Sequence, residues 1–437
     1  MSTYVPPEFE YEMPPSPEPV VVSRSEAYLT TPSPSYNTDD NNILRFELTG
    51  TQMLDLSSIR MYADLLYQKK TGTTWGALDA KDEVVSNMAL FQSIELSTLS
   101  GTIIERVDDA NLLAVIMSHL CFGERWAETT GSYSNSQKSL KDHRKPGTGI
   151  RLEINAHKLL GFFHTGKFVM PSILGGGLRI TFTLATARKL IVLATANPAD
   201  VKLTLSNVKI HYDLCIMSQR YQEWFNRQYA TKGFRIIWDS YQGHTTHTFT
   251  PSPSGAVPSL QQFPLQITAK RCKALVMALR TKPTPSDIRE YSGALLSEGF
   301  AQGSYQLDVA GVRYPPTAID SYPRAHEEAI KVCYSNNDVQ TENIDYDKFT
   351  TDFGKAAATA SVAGGFDSDD KGRFLMCLDF EKYNSSGESG IVIAPNAARL
   401  SIAFNNKANV SDTAELSAYL VRSQSLTVVG GQVVVDY

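Results

Sequence analysis

Residues 178–184 read Leu-Arg-Ile-Thr-Phe-Thr-Leu, with an apolar side chain at every second position. Successive side chains of a β-strand point to opposite faces. The four apolar residues therefore share one face, and Arg179, Thr181 and Thr183 share the other. This pattern predicts a strand of an antiparallel sheet that packs on a core by one face only.

The same alternation extends outward along the chain. In the first half it covers residues 44–48, 59–67, 93–97, 201–205 and 208–214. In the second half, strand-like runs cover residues 234–238, 265–268, 274–279, 305–309, 374–380, 390–393, 400–404, 416–421 and 433–435. The absence of a short repeat disfavours solenoids and propellers. The pattern predicts an all-β protein with a few short helices, arranged as two β-sandwiches in tandem.

Three helices are predicted between the strands. Asp109 can cap a helix over 110–120, and Ser218 can cap a helix over 219–230 that lies between the two strand series. A third helix is predicted over 323–332, while residues 281–304, 336–352 and 364–372 have the composition of long polar loops.

Composition excludes several classes of protein. The 437 residues are 42% hydrophobic and 20% charged, which is typical of a globular chain and not of a coiled coil, a fibre or a disordered chain. A net charge of -5 argues against a general nucleic-acid binder. No apolar run approaches the ~20 residues of a membrane span. The N-terminus lacks the pattern of a signal peptide, so we expect synthesis in the cytoplasm or nucleus without secretion.

Five widely spaced cysteines fit such a compartment. We expect buried free thiols, with no disulfide and no structural metal needed for folding, at Cys121, Cys215, Cys272, Cys333 and Cys377.

Residues 1–42 differ from the rest and are predicted to be an extended, acidic, proline-rich arm. Eight of the 21 prolines lie here. The stretch has seven acidic residues, and its single basic residue is Arg24. Because proline removes a backbone donor, we expect neither helix nor sheet across this stretch. One interpretation is a disordered tail. The other is an arm that lies along a neighbouring subunit by its apolar residues, dispensable for folding and needed for assembly.

Catalytic and cofactor motifs fail on inspection. Gly166-Lys167 lacks the rest of a phosphate-binding loop, and Gly175-Gly176-Gly177 opens no helix, which indicates a tight turn or a close backbone approach. The acidic run at 367–378 lacks the ligands expected at the fifth and twelfth positions of a calcium loop.

The histidines and the basic cluster also fail to match the pattern of a metal, catalytic or nucleic-acid site. His244 and His247 lie in a Thr-rich stretch interpreted as a solvated loop, and His211 shares a strand face with Asp213 but has no nucleophile. His326 has no second histidine at zinc-protease spacing. The basic cluster at 138–145 is interpreted as a solvated insertion. The sequence therefore predicts no catalytic, cofactor-binding or metal site and no cofactor, and we expect a non-enzymatic chain that assembles or recognises a surface.

Several segments, in order, resemble those of double jelly-roll major capsid proteins. In the first half these are residues 44–50 (LRFELTG), 53–60 (MLDLSSIR), 94–105 (IELSTLSGTIIE), 158–171 (KLLGFFHTGKFVMP) and 205–212 (LSNVKIHY). In the second half they are residues 305–316 (YQLDVAGVRYPP), 380–391 (FEKYNSSGESGI) and 426–437 (LTVVGGQVVVDY). The likeness covers residues 43–437 and is nearest to capsid proteins of polinton-like viruses and adintoviruses, in the wider lineage of adenovirus and tectivirus coats.

The resemblance implies two tandem eight-stranded jelly rolls, at 43–216 and 234–437, joined by a helix within 217–233. It implies homotrimeric capsomers of pseudo-hexagonal outline that tile an icosahedral shell around a DNA genome in the virion. The implied partners are copies of the chain, neighbouring capsomers, and penton and minor capsid proteins, with no sequence-specific nucleic acid. Whether an internal membrane is present stays open.

Two alternatives also stay open. One is an adhesive or carbohydrate-binding β-sandwich of the spike or lectin type, against which the missing signal peptide counts. The other is an enzyme on a jelly-roll scaffold, which requires a His/Glu metal cluster on adjacent strands that the sequence lacks. Particle size separates these classes, since a trimer or shell favours the capsid protein.

Overall fold

The computed structural model describes residues 21–38, 40–71, 73–77, 83–84, 87–120, 150–154, 159–192, 201–249, 260–281, 303–334, 374–381, 390–403 and 414–436. Every pair of neighbouring strands in this part of the chain is antiparallel. The described strands form two successive pairs of facing sheets, and the linking helix begins after Met217.

Fourteen of the described strands belong to the first half of the chain: β1 (Val21–Thr30), β2 (Ser35–Asn37), β3 (Ile43–Leu48), β4 (Met53–Asp55), β5 (Arg60–Thr71), β6 (Thr74–Ala77), β7 (Glu83–Val84), β8 (Phe91–Thr98), β9 (Ile103–Asp108), β10 (Ile150–Ile154), β11 (Phe168–Val169), β12 (Leu178–Leu184), β13 (Ile191–Val192) and β14 (Val201–Met217). One sheet has the order β10-β5-β14-β4-β11, with β1 and β2 on β14 and β6 on β5. The facing sheet has the order β3-β12-β8-β9, and β13 pairs with β7.

Ten further described strands form the second half: β15 (Phe234–Phe249), β16 (Leu260–Leu265), β17 (Ala269–Thr281), β18 (Ser304–Val309), β19 (Val312–Ile319), β20 (Met376–Asp379), β21 (Ile391–Ile393), β22 (Ala398–Ala403), β23 (Ala414–Val429) and β24 (Gln432–Asp436). One sheet has the order β15-β23-β17-β20, with β21 on β17 and β24 on β23. The other has the order β16-β22-β18-β19.

The described helices are α1 (Ala110–Leu120), α2 (Ala187–Leu190), α3 (Gln219–Thr231) and α4 (Tyr322–Tyr334). The predicted cap of α3 is confirmed, because the Ser218 hydroxyl accepts a hydrogen bond from the Tyr221 amide at 3.4 Å. Three of the four helices lie where the sequence predicts them; α2 is an additional single turn.

The period-two prediction is confirmed in the opening stretch. Along β12 the apolar residues are buried and the polar ones partly exposed, and Phe182 packs between Phe46 and Phe91 at ring-centroid distances of 6.3 and 4.8 Å. One continuous apolar core includes buried side chains of both halves, and a separate small cluster consists of Met53, Cys215 and Met217.

Three details of the strand prediction are wrong. Residues 201–205 and 208–214 are one strand, β14, because the ladder continues across a register irregularity between Ser206 and Lys209. The run at 265–268 ends as a strand at Leu265, and 266–268 connect it to β17. The strand β19 was missed because Pro315 and Pro316 argue against a strand, but β19 is an edge strand, where proline is tolerated.

The structure also contradicts the expectation that residues 1–40 cannot join a sheet. Val21–Thr30 forms β1 along β14, and Ser35–Asn37 pairs with the same strand. The prolines of this region lie at 6–19, 32 and 34, so 20–31 is free of them and begins with three valines that favour a strand. Residues 1–20 lie outside the described residues.

Candidate functional site

The N-terminal strand is held to β14 by a row of polar and aromatic contacts. Arg24 lies 2.6 Å from an oxygen of Asp213 and 2.8 Å from an oxygen of Asp55. The Asp55 side chain is nearly buried, at 8% exposure, so this pair anchors an exposed strand to an interior carboxylate. The carboxylate of Asp213 raises the pKa of Arg24, which keeps the guanidinium charged.

Further contacts between β1 and β14 surround His211. Its Nδ1 lies 2.7 Å from an oxygen of Glu26, and Tyr28 stacks on its ring at a centroid distance of 5.7 Å. Tyr62 contacts the same ring edge-on at 5.1 Å. His211 and Asp213, which the sequence placed on one strand face without a nucleophile, therefore bind the N-terminal strand. The alternation of Arg24, Glu26 and Tyr28 is the signal that predicts this strand, and the proline content of the surrounding region obscured it.

A second feature is the junction between the two pairs of sheets. The residues Gly161–Thr165 form a 3₁₀ helix that lies against β15. Phe162 contacts Trp238 edge-on at a ring-centroid distance of 5.1 Å. The hydroxyl of Tyr419 donates a hydrogen bond to the carbonyl oxygen of Asp109 at 2.8 Å. These contacts join the halves through buried surfaces.

A buried carboxylate lies in this junction. Glu105 on β9 is fully buried and accepts hydrogen bonds from the amides of Gly161 and Phe162, both at 3.0 Å. Burial raises the pKa of Glu105 to about 7, and the two amides offset part of that rise. The side chains of Trp238 and Ser240 also lower the pKa, although neither polar atom makes a hydrogen bond of normal geometry. Glu105 thus orients the 3₁₀ helix toward the second half.

The linking helix lies near the start of β1 at its first turn and near the turn between β23 and β24 at its last turn. β1 begins opposite Met217, next to the cap of α3, and the turn between β23 and β24 approaches the Tyr229 hydroxyl. Large apolar side chains on these elements remain exposed, at 40% for Ile216, 42% for Trp224 and 59% for Val434. We call the exposed apolar residues of these elements the α3 surface; they are Val21, Val22, Ile216, Trp224, Val429 and Val434.

A polar hollow of about 680 Å³ lies over the sheet β16-β22-β18-β19. Its lining includes Gln262, Gln306, Asp308, Arg313 and Arg399. Tyr305 is the aromatic residue of this lining and is itself fully buried. Among the described residues, this hollow therefore offers no exposed ring on which a sugar could stack.

The structure places some of the other sequence segments that were considered as candidate sites. The Gly175–Gly177 stretch makes the predicted close approach, since a β-carbon at Gly175 would meet the Ser100 hydroxyl at 2.4 Å. The prediction of a loop around His247 is wrong, because this residue lies in β15 and packs on Phe263 at 5.4 Å. Burial lowers the pKa of His247. The acidic run at 367–373 and the basic cluster at 138–145 lie outside the described residues.

The described cysteines Cys215, Cys272 and Cys377 are free and buried, as predicted. Burial raises the pKa of the Cys272 thiol, which disfavours the reactive thiolate. Within the described ranges, no group of three His, Cys, Asp or Glu side chains is placed to hold a metal ion. Over the same ranges, no helix has the length and hydropathy required to cross a membrane.

Two antiparallel sheet pairs in tandem, with a linking helix and a shared core, define the double jelly roll, the fold that the sequence resemblance implies. Neither protein-family models nor curated protein sequences match this chain. Solved structures do share its fold. A structure of the PBCV-1 virus capsid matches with a TM-score of 0.58 at 11% identity, over 95% of this chain and 97% of that one.

Two further structures agree with this assignment. The Faustovirus major capsid protein matches with a TM-score of 0.57 at 9% identity, over 98% of this chain and 93% of that one. The mavirus major capsid protein matches with a TM-score of 0.53 at 10% identity, over 100% of this chain and 96% of that one. The chain therefore has the fold of double jelly-roll major capsid proteins along nearly its whole length.

Proposed function

We propose that this chain is a viral major capsid protein. The observation that carries the proposal is the match of fold over nearly the whole chain to capsid proteins, with no large additional domain on either side of the comparison. Fold alone does not determine function. Here the described residues also offer no metal-binding cluster, and their polar networks hold strands and sheets together.

The assembly unit that we propose is a homotrimer. Two jelly rolls in each subunit place six similar rolls in a trimer, which gives a pseudo-hexagonal outline suited to tiling a closed shell. Trimers would then contact neighbouring capsomers and penton and minor capsid proteins in a virion that encloses DNA. Synthesis in the host cytoplasm or nucleus is part of the same proposal, and the net charge of -5 supports a shell without sequence-specific nucleic-acid contacts.

We propose the α3 surface as one contact between subunits or capsomers. Its exposed apolar side chains lie on β1, on the end of β14, on the linking helix and on the C-terminal hairpin. Exposed apolar patches on soluble chains mark association surfaces. Residues 1–20 precede β1, which begins opposite Met217, so an acidic arm that reaches a neighbouring subunit would start near α3.

We also propose that the folding units are the two rolls with α3 between them. The first unit includes residues 21–42, because β1 and β2 complete its large sheet. This boundary replaces residue 43, at which the alternation first becomes evident in the sequence.

Size-exclusion chromatography with light scattering tests the proposal on the purified full-length chain. A particle of three times the chain mass of 48.2 kDa, with hexagonal outlines or shells in negative-stain micrographs, is the expected result. A stable monomer across the micromolar range would contradict it. The alternative of a carbohydrate-binding protein has less support, since the described lining of the polar hollow has no exposed aromatic ring.

A further inference from the structure

A lysine amine lies buried between two carboxylates in the second jelly roll. The Nζ of Lys273 is 2.8 Å from an oxygen of Asp239 and 3.4 Å from an oxygen of Glu381. The side chains of Lys273 and Glu381 are 3% and 1% exposed, whereas that of Asp239 is 30% exposed. An amine, a carboxylate in hydrogen-bond contact with it and a second, water-excluded carboxylate therefore share one site.

This arrangement is costly for an ion pair with a purely structural role. Burial of paired charges is weak evidence for stabilisation, because desolvation offsets the attraction. Both oxygens of Glu381 are buried without a hydrogen bond of normal geometry from the described residues. Burial raises the pKa of Glu381, and Lys273 offsets only part of that rise. Asp379 and Asp239 act in the same direction as burial, which makes the Glu381 carboxylate a stronger base than a solvated one.

The sheet topology places Lys273 and Asp239 on opposite sides of strand β23. Asp239 lies on β15 and Lys273 on β17, with β23 between them in the sheet. Asp239 is in register with Ser423 of β23, a small residue over which the lysine side chain can pass. Lys273 lies at the register irregularity between Cys272 and Ala274, which releases its side chain from the ordinary alternation.

We propose that Lys273 and Asp239 condense to form an intramolecular amide cross-link, with Glu381 as the proton carrier. A proton passes from the Lys273 ammonium to the Asp239 carboxylate, and the neutral amine attacks Cγ of the resulting carboxylic acid. A C–N bond forms, Glu381 takes a proton from the nitrogen and returns it to the departing oxygen, and the C–O bond breaks. One ammonium and one carboxylate become one amide and one water, so the step needs no oxidant or co-reactant.

The product would join β15 covalently to β17 and close a loop across β23. A cross-link of this kind restricts the unfolded chain, as a disulfide does, and it is insensitive to reductant. It lies in the large sheet of the second roll, beside the junction formed by Trp238. The cross-link forms within a single chain, so its formation does not depend on the proposed assembly.

Mass spectrometry of the denatured full-length chain tests the proposal. We expect a mass lower by one water than that of the uncondensed chain, and a branched peptide that joins Asp239 to Lys273 after proteolysis. Lys273→Arg and Glu381→Gln should each restore the uncondensed mass while circular dichroism and elution volume stay unchanged. The matched control is Lys270→Arg on the same strand, because the exposed pair of Lys270 and Asp436 has the same chemistry without burial; this variant should keep the loss of water.

Three results would overturn the proposal. The first is a wild-type mass that shows no loss of water in the folded protein. The second is a loss of water that persists in Lys273→Arg, which would indicate cyclisation of Asp239 onto the following backbone amide. The third is a loss of water that persists in Glu381→Gln, which would remove Glu381 from the reaction.

Discussion

Gly161 lies so close to the carbonyl oxygen of Asp239 that a β-carbon at position 161 would sit 1.7 Å from that oxygen. This approach brings the 3₁₀ helix of the first roll directly onto the backbone of β15 in the second. The two rolls therefore contact each other through main-chain atoms, which a change of rotamer cannot relieve.

Gly161→Ala is expected to destabilise the protein strongly, because the added methyl group clashes with backbone. Overpacking a tight site costs ~1–3 kcal/mol, and we expect at least the upper end of that range in the free energy of unfolding. Gly76→Ala is the control, since a β-carbon there meets no atom within 4 Å. Denaturant titration of both variants measures the effect, and equal stabilities would show that the rolls can separate at little cost.

Glu105→Gln should alter the pH dependence of stability. The pKa of Glu105 is raised from 4.5 to about 7, so the folded chain holds a proton that the unfolded chain has lost between these values. Its contribution is fully present below pH 4.5 and is lost as pH rises through 7. Between these pH values the free energy of unfolding of the wild type should fall by about 3 kcal/mol relative to that of the variant, at 1.36 kcal/mol per pKa unit. Melting profiles at pH 5 to 8 that run parallel would contradict this assignment.

Deletion of the N-terminal region should have two distinct outcomes. Removal of 2–20 should leave the melting temperature of the subunit unchanged and impair assembly, since these residues precede β1. Removal of 2–31 should also lower the melting temperature, because it exposes the edge of β14 and leaves Asp55 without Arg24. Thermal melting and light scattering on both truncations measure this. Identical melting of the two would show that β1 is dispensable for the fold.

Val434→Asp should weaken association without unfolding the subunit. Val434 belongs to the α3 surface and is 59% exposed, so a carboxylate there remains solvated in the monomer and becomes costly when the surface is covered. Val312→Asp is the control on β19, at 55% exposure and away from α3. Loss of trimers in the first variant alone supports this contact. Equal association of both variants would exclude it.

Reductant should leave the melting temperature unchanged. Cys215, Cys272 and Cys377 are buried and free, so no cross-link between these three contributes to stability. Melting with and without a thiol reductant checks this. A drop of many degrees would reveal a disulfide that involves Cys121 or Cys333.

The sequence by itself determined the elements that depend on local pattern. The alternation along β12 and the cap of α3 are readable because strand pleat and helix termini impose constraints over a few neighbouring residues. Two sheet pairs separated by a helix follow from the order of those elements, and ordered motifs in both halves resemble capsid proteins.

Only the tertiary structure decided which distant residues meet. The pairing of Arg24 with Asp213 spans 189 positions and that of Tyr419 with Asp109 spans 310, and no local pattern encodes such contacts. The burial of Glu105 and of Lys273 between two carboxylates likewise arises from sheets packing together, because their charges alone would predict exposed side chains.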